Sequence, residues 1–158
     1  MFELKISGLG EAVLLSSQWA THTISLLDPD VNRDITNFPT ASKNGLLQRY
    51  YFSDVYRHHE ANFLGSVPKF ASTEQIIDIL QFTAGLKSTD KLLVHCHAGI
   101  SRSTAVACGI LCQHGLSPAD AFKRMLSIRP QALPNQHILA LFDELLKLKG
   151  KLVSCARY

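Results

Sequence analysis

Residues 91–103 constrain the fold more than any other stretch. KLLVHC, Lys91 to Cys96, is a short apolar run of the kind found in a strand buried on both faces. HAGIS follows at once, and a helical pattern then runs from Arg102 to His114, where Gly115 stops it. A buried strand that passes into a helix through so short a loop forces the helix back onto the sheet. It also puts the loop at the strand's carboxyl end, where open α/β sheets hold their ligands.

The remaining segments fit around that unit. FELKIS alternates apolar and polar from Phe2 and predicts a first strand, broken by Gly8 and Gly10, with a short helix from Glu11 to about Trp19. THTISLL, ending at Leu27, predicts a second strand, and Asp28-Pro29-Asp30 a turn. Irregular sequence fills Val31 to Leu47, and RYYFSD, Arg49 to Asp54, predicts a third strand. After a loop over Val55 to Ala71, Ser72 and Gln75 form a capping box ahead of an apolar helix closed by Gly85. Ser117-Pro118-Ala119-Asp120 opens a helix to about Ile128. A last helix follows Pro134-Asn135 and ends at Gly150, its apolar residues from Leu133 to Leu148 read as core, and the tail from Lys151 to Tyr158 is expected to fray. Strands alternating with helices, then helices alone, predict an α/β fold with a mostly parallel central sheet flanked by helices.

The length of 158 residues suits one domain spanning 1–158. Hydrophobic residues at 46% and charged residues at 18% exclude a disordered or fibrous chain. A formal net charge of +3 tolerates a phosphate-bearing substrate without arguing for nucleic acid, and neither nucleic acid nor membrane is expected as a partner. No apolar run approaches the roughly 18 to 20 residues of a membrane span. Glu3 near the start, with no basic-then-apolar order, gives no secretory signal. Four cysteines are too few for a disulfide scaffold, and Cys108 and Cys112, four apart in a helical stretch, are read as buried thiols. A reducing, cytoplasmic setting is the expectation.

The loop between strand and helix carries the chemistry. Its backbone N–H groups, with Gly99 allowing a tight curl, can converge on one concavity, and the helix N-terminus adds partial positive charge. Arg102 adds a full charge and a forked donor that matches two phosphate oxygens. His97, Ala98, Gly99, Ile100, Ser101 and Arg102 thus read as a cradle for a dianion. Cys96 stands at its edge. The field that binds phosphate also favours a thiolate: helix N-termini and nearby cations lower a cysteine pKa from about 8.5 into a range of about 3.5 to 7.5. Ser103 can offer a hydroxyl to the sulfur, and His95 reads as a buried hydrogen-bonding strut, because a thiolate made by the loop needs no base.

HCHAGISRSTA resembles the active-site signature of the cysteine-dependent protein tyrosine phosphatases, in the form found in their compact dual-specificity-like branch. SIRPQALPN, Ser127 to Asn135, is similar to the Arg-Pro…Pro-Asn segment that follows the signature helix in that branch. The resemblance implies a phosphomonoester hydrolase, a protein-tyrosine or dual-specificity phosphatase, that works through a cysteinyl-phosphate with no cofactor and no metal. It implies Cys96 as nucleophile, Arg102 as phosphate ligand and Ser103 as the group easing departure of the sulfur. It also implies an aspartate acid after an earlier strand. Asp54 is the first choice, Glu60 the second, and Asp28 and Asp30 follow a strand on the same edge. The partner implied is a phosphotyrosine-containing protein or peptide. Asn135 and Gln136 are further candidates, to orient water in the second step. A metal on His58, His59, His97, His95 and Cys96 is the minority reading, since adjacent histidines are poorly spaced for one ion. A phosphate-binding module without turnover and a rhodanese-like sulfur transferase are the alternatives from other classes.

Overall fold

The structure is a computed structural model that describes residues 1–34, 37–55 and 68–156. In chain order its elements are β1 (Glu3–Ser7), α1 (Leu9–Gln18), β2 (His22–Leu27), β3 (Leu46–Tyr51), α2 (Thr73–Thr83), β4 (Lys91–His95), α3 (Arg102–Gln113), α4 (Pro118–Ile128), α5 (Gln136–Leu145) and α6 (Lys151–Cys155). The four strands form one sheet in the order β1-β4-β2-β3, and every neighbouring pair is parallel. All four carboxyl ends therefore meet on one edge, with β4 and its loop in the interior of the sheet.

The pleat of β4 explains its continuous apolar run. Leu92 and Val94 face the main core with Val106, Ile110 and Phe142, while Leu93, on the opposite face, packs with Ala12 and Ala20 beneath α1. Every residue of α3 from Arg102 to Leu111 is buried, so this helix is the centre of the helical layer rather than a surface element. Its close fit with α5 depends on Gly109, where a Cβ would stand 2.2 Å from the Phe142 ring. Ser72 caps α2 through the predicted capping box, and Ser117 and Asn135 cap α4 and α5 by accepting from Asp120 N–H and Ile138 N–H.

Five expectations need correction. The third strand is Leu46–Tyr51, not Arg49–Asp54: it pairs residue for residue with β2 from His22↔Leu46 to Leu27↔Tyr51 and stops where its partner stops. Asp54 accordingly lies beyond the strand, on an exposed loop. The tail to Cys155 does not fray. Buried Asp143 accepts from the N–H groups of Gly150, Leu152 and Val153 at 2.7, 2.9 and 3.2 Å, which starts α6 and buries Leu152. α5 ends at Leu145 because the chain reverses there, with Lys147 and Lys149 at φ of 56° and 58°. Leu133 is 57% exposed rather than core, and Cys112 is only half-buried, in contrast to fully buried Cys108. Among the described residues no helix is long and apolar enough to cross a membrane.

Candidate active site

The loop after β4 is shaped by what holds its carbonyls. The His97 carbonyl accepts from Leu9 N–H at 2.9 Å, at the start of α1. Those of Ala98 and Gly99 accept from the Arg129 guanidinium at 3.2 and 2.9 Å. Those of Ile100 and Ser101 accept from Leu133 N–H and Asn135 N–H at 2.9 and 3.0 Å. Five consecutive carbonyls are thus pulled outward. In a trans peptide the N–H that follows a carbonyl points the opposite way, away from these outer partners. Gly99 N–H shows the result: it donates to the Cys96 sulfur at 3.3 Å. Gly99 is required twice, because its φ is +71° and a Cβ would meet the Ser7 backbone at 2.5 Å.

Around that concavity the predicted residues fall as follows. Cys96 is 2% exposed, and its sulfur lies 3.1 Å from the Ser103 hydroxyl at the first turn of α3. Gly99 N–H and the Ser103 hydroxyl thus both stand within hydrogen-bond distance of one sulfur beside a helix N-terminus. Arg102 is buried; its Nη1 donates to Asp28 at 2.8 Å and to the Phe52 carbonyl at 2.9 Å. Its Nε is buried with no hydrogen-bond partner among the described residues. That leaves one side of the guanidinium without a protein partner, as an incoming oxyanion would require. His97 and Ala98 are exposed at the rim.

Asp54 is brought to the loop from the far edge strand. Its Oδ1 accepts from the Ser101 hydroxyl at 2.7 Å and from Asn135 Nδ2 at 2.9 Å. Asn135 is 2% exposed; its side chain also donates to the Val55 carbonyl at 3.2 Å and caps α5, and its backbone N–H donates to the Ser101 carbonyl, so one residue ties the Asp54 loop, the cradle and the start of α5. Gln136 points elsewhere, donating to the Ala156 carbonyl. Asp28 is spent on Arg102 rather than free to line the edge as an acid, and Asp30 is exposed. Glu60, His58 and His59 lie outside the described residues. Among the described residues no group of three metal-ligating side chains is present.

His95 is a strut, as its position before Cys96 predicted. It is fully buried, its Nε2 2.6 Å from the Ser25 hydroxyl and its Nδ1 3.2 Å from the Cys96 carbonyl. Arg49 Nε donates to the same Ser25 oxygen at 3.2 Å. The pairing that satisfies every atom has Ser25 donating to Nε2 and the Nδ1 proton on the Cys96 carbonyl, which is a neutral ring. Burial pushes its pKa down to about 4, helped by the charges of Arg49 and Arg102 and opposed by the bond to the Cys96 carbonyl. Sequence reasoning gave no role to Arg129, Ser25 or Arg49. Arg129 stood inside the SIRPQALPN segment, which was the only signal; Ser25 and Arg49 carried none.

Comparison with known proteins agrees with this architecture. The family model of cyclin-dependent kinase inhibitor 3 matches residues 35–122. The dual specificity protein phosphatase Mpk3 of Drosophila melanogaster is 38% identical over 85 residues, which are 50% of this chain and 21% of that protein. The chain thus spans about a fifth of the length of that relative. Human DUSP28 superposes with a TM-score of 0.61 at 20% identity, covering 91% of each chain. PTPMT1 in complex with PI(5)P superposes with a TM-score of 0.60 at 19% identity, covering 98% of this chain and 95% of the other.

Proposed function

The chain belongs to the cyclin-dependent kinase inhibitor 3 family, and from that premise we propose that it is a metal-independent phosphomonoesterase acting on phosphotyrosine in proteins. The observation that carries this reading is the outward pull on five loop carbonyls, with Gly99 N–H on the Cys96 sulfur and Arg102 Nε unmatched beside it. Such a site binds a tetrahedral dianion and presents one nucleophile to its phosphorus.

Two steps follow. The Cys96 sulfur attacks in line as the bond from phosphorus to the leaving oxygen breaks. The loop amides and Arg102 hold the three equatorial oxygens while charge develops on them. Asp54, in its acid form, gives its proton to the leaving oxygen, a contribution of about 10² to 10⁴ in rate. Water then attacks the cysteinyl-phosphate with Asp54 as base, and the sulfur leaves with the Ser103 hydroxyl donating to it. Ser101 and Asn135 hold the Asp54 carboxyl beside the loop, and that position supports its choice as the acid. The Mpk3 relationship supports phosphothreonine and phosphoserine as further substrates. Four free cysteines support a reducing, cytoplasmic setting for a catalytic unit read as residues 1–158.

The test is hydrolysis of p-nitrophenyl phosphate with EDTA present. Turnover should persist in EDTA, be blocked by vanadate and vanish in Cys96→Ser with the fold intact. Activity that EDTA abolishes, or that survives in Cys96→Ser, would overturn the reading.

A further inference from the structure

Beside the cradle lies an open groove of about 560 Å³ lined by Leu9, Gly10, Val13, Leu14, Asn37 and His97. Three features set it apart from an ordinary surface depression. First, it is continuous with the phosphate loop, because His97 belongs to both. Second, it is rigidly joined to that loop. Leu9 N–H donates to the His97 carbonyl at 2.9 Å, and a Cβ on Gly8 would stand 2.9 Å from the same oxygen. Third, apart from Asn37 and His97 its described lining is aliphatic or glycine. α1 buries Ala12 and Ser16 against the sheet and turns Leu9, Val13 and Leu14 the other way, leaving Leu14 62% exposed.

We propose that this groove receives an apolar side chain of the protein substrate, standing within two residues of the phosphorylated one. The inference rests on the phosphatase reading above and adds to it a preference of sequence context. An extended peptide advances about 3.3 Å per residue, and His97, common to loop and groove, makes the groove the adjoining surface for a residue one or two places from the phosphoresidue. Among the described residues the lining holds no Lys or Arg to meet an acidic flank or the additional phosphates of an inositol headgroup, and no Asp or Glu to meet a basic flank. What it offers is aliphatic surface, and an apolar side chain is the chemistry that gains by covering it.

The experiment is a set of phosphotyrosine peptides alike except for Leu, Ala, Glu or Lys at each position from two before to two after the phosphotyrosine. kcat/KM is measured for the wild type and for Leu14→Asp, with p-nitrophenyl phosphate and phosphoinositide vesicles as further substrates. One position should favour Leu over Glu by roughly tenfold, and that ratio should collapse in Leu14→Asp. Equal rates for Leu and Glu peptides at every position, alongside normal p-nitrophenyl phosphate turnover, overturn the groove and leave the phosphatase reading standing. So does a Leu preference that persists in Leu14→Asp, or vesicles hydrolysed faster than every peptide. Absence of turnover on p-nitrophenyl phosphate removes the phosphatase reading and the groove with it.

Discussion

Lowering the pH should destabilise this protein through His95. The ring is buried and neutral, and its pKa falls from 6.5 to about 4 on folding, through burial first and the nearby charges of Arg49 and Arg102 second. Between those two values the unfolded chain binds a proton that the folded one refuses, so stability falls as pH falls through that window and levels off below about 4. At about 1.4 kcal/mol per pH unit, the shift makes His95 responsible for about 2 to 3 kcal/mol lost by pH 4.5, a large part of the stability of a typical domain. The measurement is urea unfolding followed by circular dichroism at pH 7.5 and 4.5, in the wild type and in His95→Gln. Gln keeps a polar group on Ser25 but does not titrate. The variant is less stable at pH 7.5, by about 1 to 2 kcal/mol from altered packing. Its further loss on acidification should be smaller than that of the wild type by about 2 kcal/mol. Equal losses in the two proteins would refute the burial argument, because the titrating group would then lie elsewhere.

Three other outcomes follow from the geometry. Asp54→Asn should slow hydrolysis more than tenfold, most of all for alkyl phosphates with poor leaving groups, while vanadate still binds; an unchanged rate there with a slow Glu60→Gln would move the acid to Glu60. Arg129→Ala removes the fork that holds the Ala98 and Gly99 carbonyls and should lower kcat/KM for p-nitrophenyl phosphate about 10- to 100-fold in a folded protein. Arg129→Lys should recover only part of this, since one ammonium cannot span two carbonyls in that geometry. Gly109→Ala should destabilise by about 1 to 3 kcal/mol despite the better helix propensity of Ala, because its methyl meets the Phe142 ring at 2.2 Å. Adding Phe142→Leu should restore part of the loss seen in urea unfolding, and no recovery would place the cost elsewhere.

Local sequence determined the strand–loop–helix unit, the caps at Ser72, Ser117 and Asn135, and the nucleophile and arginine of the cradle. Each of these depends on residues a few positions apart, where spacing and chemistry act without the rest of the chain. β3 was misplaced by three residues because its register is set by β2, whose paired residues lie 24 positions earlier, and not by its own alternation. The ordered tail was missed for the same kind of reason: Asp143, on another helix, supplies the acceptors that start α6. In the site, the sequence named Cys96, Arg102, Ser103 and Asp54. Only the tertiary structure decided that Asp28 and the Phe52 carbonyl orient Arg102, that Arg129 turns two loop carbonyls outward, and that Asn135 joins the cradle to the Asp54 loop. Those contacts link residues from 30 to 81 positions apart. Hydrogen bonds of that span are fixed by how the sheet and helices pack, and a linear pattern carries no record of them.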